Sequence, residues 1–156
     1  MEKTLIKGVA KDNNVACISV VGLKDAPGVA FKIFNKVSQS KINVDIILQS
    51  IGRDGTKDIT FTVPESDAAA AVAAINELKE SLNFQEVKSD SSITKVSIVG
   101  AGMESHPGVA AKMFEALWDA GINIQMISTS EIKISVLIDG KYADTAVTAI
   151  HDKFIQ

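Results

Sequence analysis

Two loops of this chain gather the residue types that can hold an amino acid. The first reads Asp25-Ala26-Pro27-Gly28 and the second Glu104-Ser105-His106-Pro107-Gly108, and each opens a helix-like segment that runs on to Ile42-Asn43-Val44 or Ile122-Asn123-Ile124. A zwitterion needs a carboxylate or carbonyls for its ammonium and N–H donors for its own carboxylate. A helix N-terminus behind a loop supplies those donors, because its first N–H groups have no partner within the helix and carry the positive end of its dipole. Gly28 and Gly108 let the backbone approach closely. Asp25, Asp45, Glu104 and Glu131 are the acidic residues to weigh. Any one of them alone is equally well explained as a solvated surface group, but placement at the mouths of a repeated loop favours a site.

The remaining chemistry-bearing residues form no catalytic set. Gly100-Ala101-Gly102 lies between a strand and a helix, yet Ser105 stands where a dinucleotide fingerprint needs its third glycine, and the next two strands read as a hairpin. His106 has no partner at ligand spacing and reads as a loop or site-lining residue, while His151 lies on the polar face of the last helix. Cys17 falls inside a strand, where burial as a small hydrophobe is the default. Trp118, near a helix end, reads as an edge-of-core or interface residue. No nucleophile, acid–base pair, metal site or cofactor is expected.

These loops belong to a duplicated unit. Val20-Val21-Gly22 recurs as Ile98-Val99-Gly100 and, after a second loop longer by two residues, the copies align at a constant offset that matches Lys32 with Lys112, Phe34 with Phe114, Ile47 with Ile127 and Ser50 with Ser130. In the first copy Val15 to Val21 is β-branched, and Val29, Ile33, Phe34 and Val37 predict a helix over about 27–40. Val44 to Ser50 reads as a strand, Arg53-Asp54-Gly55 as a turn, and Asp58 to Val63 as an alternating strand. Pro64-Glu65-Ser66-Asp67 starts a helix to about Leu82 with Val72, Ile75 and Leu78 inward, and Phe84 to Lys88 closes a βαββαβ order.

The second copy repeats it with strand Lys95–Val99, helix Pro107–Ala120, strands Ile124–Ser128 and Ile132–Ile138, and helix Lys141–Phe154. It lacks a last strand, whereas residues 4–10 are a spare one. An unpaired sheet edge is a liability, so the N-terminal strand is expected to complete the second sheet. The fold class is α+β: two ferredoxin-like units, the first spanning 15–90 and the second 4–10 plus 93–156.

Composition narrows the partners. The chain has 156 residues, 46% of them hydrophobic, with a formal net charge of -3 and one cysteine. Half of such a chain would bury too little surface to stand comfortably alone. No basic field gathers phosphates, so nucleic acid is not expected. A single cysteine points to a reducing compartment, and neither a membrane-length apolar run nor a signal peptide is seen, which gives an expectation of a cytoplasmic protein without membrane contact.

Ile6-Lys7-Gly8-Val9-Ala10, Asp25-Ala26-Pro27-Gly28, Ile42-Asn43-Val44-Asp45, Leu48-Gln49-Ser50, Asp58 to Pro64, Lys95 to Met103, Ser105 to Val109 and Ile127 to Ser135 occur in an order that resembles the ACT domain family. These are small βαββαβ modules that bind amino acids, and the likeness is specifically to the regulatory tandem of aspartokinase. It runs from about residue 5 to the end. The lysine-rich and glycine-rich motifs with which aspartokinases bind ATP and aspartate have no counterpart here. The resemblance therefore implies a small regulatory subunit or a C-terminal regulatory fragment, without catalytic residues of its own, that acts with an aspartokinase catalytic portion or subunit.

The resemblance further implies threonine and/or lysine as feedback effectors and a homodimer whose ACT domains hold the effectors between two chains. One site would use Asp25, Ala26, Gly28, Val29, Ala30 and Gln49 with Asn123 and Ile124. The other would use Met103, Ser105, His106, Gly108 and Val109 with Asn43, Val44, Asp45 and Glu131. The first suits a small β-hydroxy amino acid, and the second is less determined. The alternatives are an ACT-like dimerisation scaffold with empty sites and, from the enzyme class, a small ligase or isomerase that no acid–base pair supports.

Overall fold

In a computed structural model, which describes residues 6–51, 54–100 and 108–155, the chain forms the strands β1 (Ile6–Asp12), β2 (Ala16–Lys24), β3 (Ile47–Ile51), β4 (Thr56–Val63), β5 (Glu86–Asp90), β6 (Ile93–Gly100), β7 (Met126–Thr129) and β8 (Lys133–Asp139). The helices are α1 (Val29–Gln39), α2 (Ala68–Asn76), α3 (Lys79–Leu82), α4 (Gly108–Asp119) and α5 (Ala143–Ile155). They divide into two compact units, residues 14–91 and residues 92–156 with the N-terminal segment. Among the described residues no helix is long and apolar enough to cross a membrane.

In the unit of residues 14–91, alternation along β2 and β4 sends one row of each strand to a common face. Ala16, Ile18 and Val20 pair with Val63, Phe61 and Ile59. This row is almost fully buried against Val29, Ile33 and Val37 of α1 and Ala68, Ala71 and Ile75 of α2. At about 1.5–3 kcal/mol for each large aliphatic side chain, such burial is the main force holding helices to sheet. Phe34 packs edge-on against Phe61 with centroids 5.3 Å apart. The sheet order is β3-β4-β2-β5, antiparallel throughout.

Two elements differ from the sequence pattern. The segment expected as one helix to Leu82 is a 3-10 turn at Glu65–Asp67 followed by α2 and α3. Glu77 N–H is shared between the carbonyls of Ala73 and Ala74, each at 3.3 Å, a bifurcation that tightens and ends α2. The strand expected from Val44 starts only at Ile47, because Thr62 of β4 faces two residues at once: its carbonyl accepts from Asp45 N–H and its hydroxyl from Ile46 N–H. The chain thus runs beside β4 out of register before the ladder begins.

The other unit has the order β1-β6-β8-β7, so the N-terminal strand occupies the edge left open by the second repeat, as expected. Val9 pairs with Ile98 and Lys11 with Val96, and Lys11 also forms an ion pair with Asp144 of α5. Val96, Ile98, Ile134, Val136 and Ile138 face Val109, Met113 and Leu117 of α4 and Ala146, Ile150 and Phe154 of α5. Lys153 of α5 donates to Glu115 at 2.8 Å and lies 3.4 Å from Asp119, both on α4, and the hydrogen bond to Glu115 chiefly raises its pKa. The first unit thus runs βαββαβ along the chain, whereas the second, completed by β1, runs ββαββα.

Deleting residues 1–10 should uncover the β6 edge and cost at least about 2 kcal/mol, as several strand N–H and C=O groups lose their partners. Urea unfolding measures the loss, and an unchanged midpoint would contradict the pairing.

Candidate functional site

The mouth of α1 is built by a bulge. β2 pairs Val20 with Ile59 and then Leu23 with Lys57, so Val21 and Gly22 together face the single residue Asp58. Gly22 has φ 78°, and a Cβ there would stand 2.9 Å from that of Gln85. Its N–H donates to Asp58 Oδ1 at 2.9 Å, which fixes the bulge. The strand is bent so that its last residues still pair with β4, and Asp25 N–H donates to the Gly55 carbonyl at 2.8 Å. This returns the loop over the Asp54–Gly55 turn, where both residues have positive φ as in tight hairpins.

The helix begins two residues later than the proline pattern suggests. Gly28, at φ 89°, is its N-cap, with no side-chain cap and no acidic residue in the first turn. Of the opening N–H groups of α1, that of Val29 donates to the Ala26 carbonyl at 3.4 Å, and none takes a side-chain cap. Asp25 is exposed, Ala26 and Ala30 are half-buried, and Val29 is buried in the core. Asp25, Ala26, Gly28, Val29 and Ala30 are thus gathered at one helix mouth. Lys57 of β4, which the sequence reading passed over, is buried there with its Nζ 3.7 Å from Asp25 Oδ1. Gln49 is exposed on the edge strand β3 and paired with Ile59, on the face that carries Lys57.

The other end of each repeated helix explains the repeated asparagine. Ile42 N–H donates to the Val37 carbonyl and Lys41 N–H to that of Ser38; Ile122 and Gly121 do the same to Leu117 and Trp118. This is the Schellman termination, with a left-handed residue and a hydrophobic contact across the last turn. Lys41 has φ 61° and Gly121 φ 72°, while Val37, Ile42, Leu117 and Ile122 are all buried. Asn43 and Asn123 are the next residues, both exposed, so the motif fixes their position identically in each unit. α1 spans about 16 Å, which separates Asn43 from Asp25 by the length of the helix.

Ile124 of the first set is half-buried; of the second set, Gly108 is exposed and Val109 buried at the start of α4, Val44 is half-buried, and Asp45 and Glu131 are exposed. Met103, Ser105 and His106 lie outside the described residues, as does Glu104. The Cys17 thiol is only half-buried, and burial followed by the Asp90 charge pushes its pKa up against a hydrogen bond with Ser19, which is the reverse of an activated nucleophile. His151 is exposed, and Trp118, 79% exposed, lies outside the core. Among the described residues no group of acidic, histidine or cysteine side chains could hold a metal ion.

The duplicated helix mouth and helix end correspond to one family: the ACT domain model matches residues 18–78 and again 96–154. This chain belongs to the ACT domain family. Its tandem is 49% identical to the aspartokinase of Mycolicibacterium smegmatis and 46% to that of Corynebacterium glutamicum, each match covering 99% of the chain but 37% of the relative. The chain thus spans little more than a third of those relatives. Among solved structures it superposes on the ligand-free regulatory subunit of aspartate kinase from Thermus thermophilus with a TM-score of 0.91 at 39% identity, covering 96% of this ACT tandem and 99% of that subunit. A structure of aspartokinase alpha and beta subunits gives a TM-score of 0.90 at 46% identity, covering 97% and 99%.

Because one copy of the helix end uses lysine where the other uses glycine, Lys41→Gly should stabilise the first unit by about 0.5–1 kcal/mol and Gly121→Lys should destabilise the second by a similar amount. Thermal or urea unfolding of the two variants tests the pair.

Proposed function

We propose that this tandem is the amino-acid-sensing, non-catalytic regulatory part of an aspartokinase, binding threonine and/or lysine and transmitting feedback inhibition to a catalytic portion that phosphorylates L-aspartate with ATP. The observation that carries the reading is the near end-to-end match to a regulatory subunit of aspartate kinase. The uncapped mouth of α1 supports it, since an effector carboxylate can accept from those N–H groups while Asp25 takes the ammonium. Asp25, Ala26, Gly28, Val29, Ala30 and Gln49 form one half of a first site, for which a second copy of the chain supplies Asn123 and Ile124. Met103, Ser105, His106, Gly108, Val109 and Glu131 form the corresponding half of a second site, completed by Asn43, Val44 and Asp45 of the other copy. The effector acts through its difference in affinity for active and inhibited states, and needs no catalytic group here.

A homodimer is part of this proposal. β3 is an edge strand whose Ile47, Leu48 and Ile51 are exposed, Ile51 by 97%, and such an edge is normally covered. Sedimentation with saturating threonine or lysine should show a dimer; a strict monomer at high concentration would remove the two-chain site.

Calorimetry should give saturable binding of threonine or lysine at about -4 to -8 kcal/mol, micromolar to millimolar, with a matching rise in melting temperature. Gln49→Ala or Asn123→Ala should cost roughly 0.5–3 kcal/mol of that binding with little loss of stability, as both side chains are exposed. In a reconstituted aspartokinase these variants should relieve inhibition and leave uninhibited turnover intact. Absence of any saturable heat would instead favour a scaffold.

A further inference from the structure

Thr62 places a hydroxyl where packing alone would accept a hydrocarbon. Ile47 pairs with Phe61 as Ile127 pairs with Val136, so the counterpart of Thr62 in the other unit is Leu137, and both side chains are fully buried. Burial at this position therefore asks for nothing polar. A buried hydroxyl is costly unless it finds a partner, and in the first unit the partner is a backbone group: Ile46 N–H donates to Thr62 Oγ1 at 2.9 Å. Asp45 N–H donates to the Thr62 carbonyl at 3.1 Å, and Thr62 N–H donates to the Ile46 carbonyl at 3.0 Å. Gln125 N–H makes the matching bond to the Leu137 carbonyl at 2.8 Å, but Leu137 has no side-chain acceptor to add to it.

The ladders begin at different points as a result. β7 takes Met126, the counterpart of Ile46, into register with Leu137, whereas β3 starts one residue later, at Ile47. Residues 43–46 are held at both ends. The near end leaves the Schellman turn, where Ile42 N–H donates to the Val37 carbonyl, and the far end is fastened to Thr62 by the three bonds above. Asn43 and Asp45 are the exposed residues of this span.

From this arrangement we infer that Thr62 is a positioning residue of the second effector site, a role that rests on the regulatory reading above. Being fully buried, it acts through Asn43 and Asp45 and not by contact with the effector. Its hydroxyl keeps residues 43–46 in the shape in which they meet the other copy's half of the site. The segment is thus ordered before an amino acid arrives, and binding does not carry the cost of ordering it. The first site takes Asn123 and Ile124 from the unit that has Leu137 in this place, so the device serves one site alone.

The test compares Thr62→Val, which keeps the shape and removes the acceptor, with Thr62→Ser, which keeps the acceptor. Without ligand, amide hydrogen exchange at residues 45 and 46 should quicken about three- to tenfold in Thr62→Val and stay near wild type in Thr62→Ser. Thr62→Ala makes the same comparison if Thr62→Val fails to fold. Calorimetry with L-threonine and with L-lysine then uses two backgrounds: Gln49→Ala with Asn123→Ala to suppress the first site, and Asn43→Ala with Asp45→Ala to suppress the second. In the former, Thr62→Val should weaken the remaining binding about three- to tenfold and Thr62→Ser should restore it, whereas in the latter neither change should move the affinity. Equal weakening in both backgrounds would reduce Thr62 to a structural residue and overturn the inference. So would unchanged exchange, unchanged second-site affinity in folded Thr62→Val, or a second site that binds nothing while the first still binds. A wild-type chain that binds neither amino acid would instead overturn the regulatory reading, and this role with it.

Discussion

The antiparallel pairing of β1 with β6 is the constraint on which the rest of the architecture depends. It joins residues at opposite ends of a long stretch of chain: Lys11 meets Val96 and Asp12 meets Lys95. Without it the second repeat would be a three-stranded sheet with a bare central-type strand at its edge. With it, both repeats have four strands, and β6 is paired on both sides beneath α4 and α5. Closing so long a loop costs chain entropy, though the cost grows only logarithmically with length. The ladder, the Lys11–Asp144 ion pair and the hydrogen bond from Thr94 Oγ1 to Asn13 Oδ1 at 2.8 Å together oppose that cost.

The proposed function uses the two ends of a helix rather than any reactive side chain. The start of α1 offers N–H donors beside a carboxylate, and its Schellman end presents an asparagine at a fixed point. Duplication gives each unit the same helix end but a different loop sequence, Asp25-Ala26 before one Pro-Gly and Ser105-His106 before the other. A regulatory role suits this division, since recognition needs donors and charges in fixed places whereas catalysis would need a group poised to react.

Much of this was legible in the sequence because periodicity reports burial directly. The stripe Val29, Ile33, Val37 and the alternation from Ile59 to Val63 are the core of the first unit, and counting strands placed the N-terminal one on the second sheet. Features that depend on hydrogen-bond accounting were not legible. The bulge at Val21–Gly22 and the break after Asn76 come from shared or displaced partners that leave no compositional trace. Lys57 had a signal: counting back by two from Ile59 puts it on the inward face. Alternation of apolar and polar residues alone starts the strand at Asp58, because a lysine on the inward row breaks the apolar pattern.

The pairing of Cys17 with Asp90 carries a further consequence. The unit of residues 14–91 starts and finishes on adjacent antiparallel strands, so its two ends lie side by side within a single strand spacing, about 5 Å. A module with neighbouring ends can be spliced into a host loop, or have its ends joined and be reopened elsewhere, without disturbing the host sheet. Here the chain enters and leaves the module from β1 and β6, which are themselves paired neighbours in the other sheet.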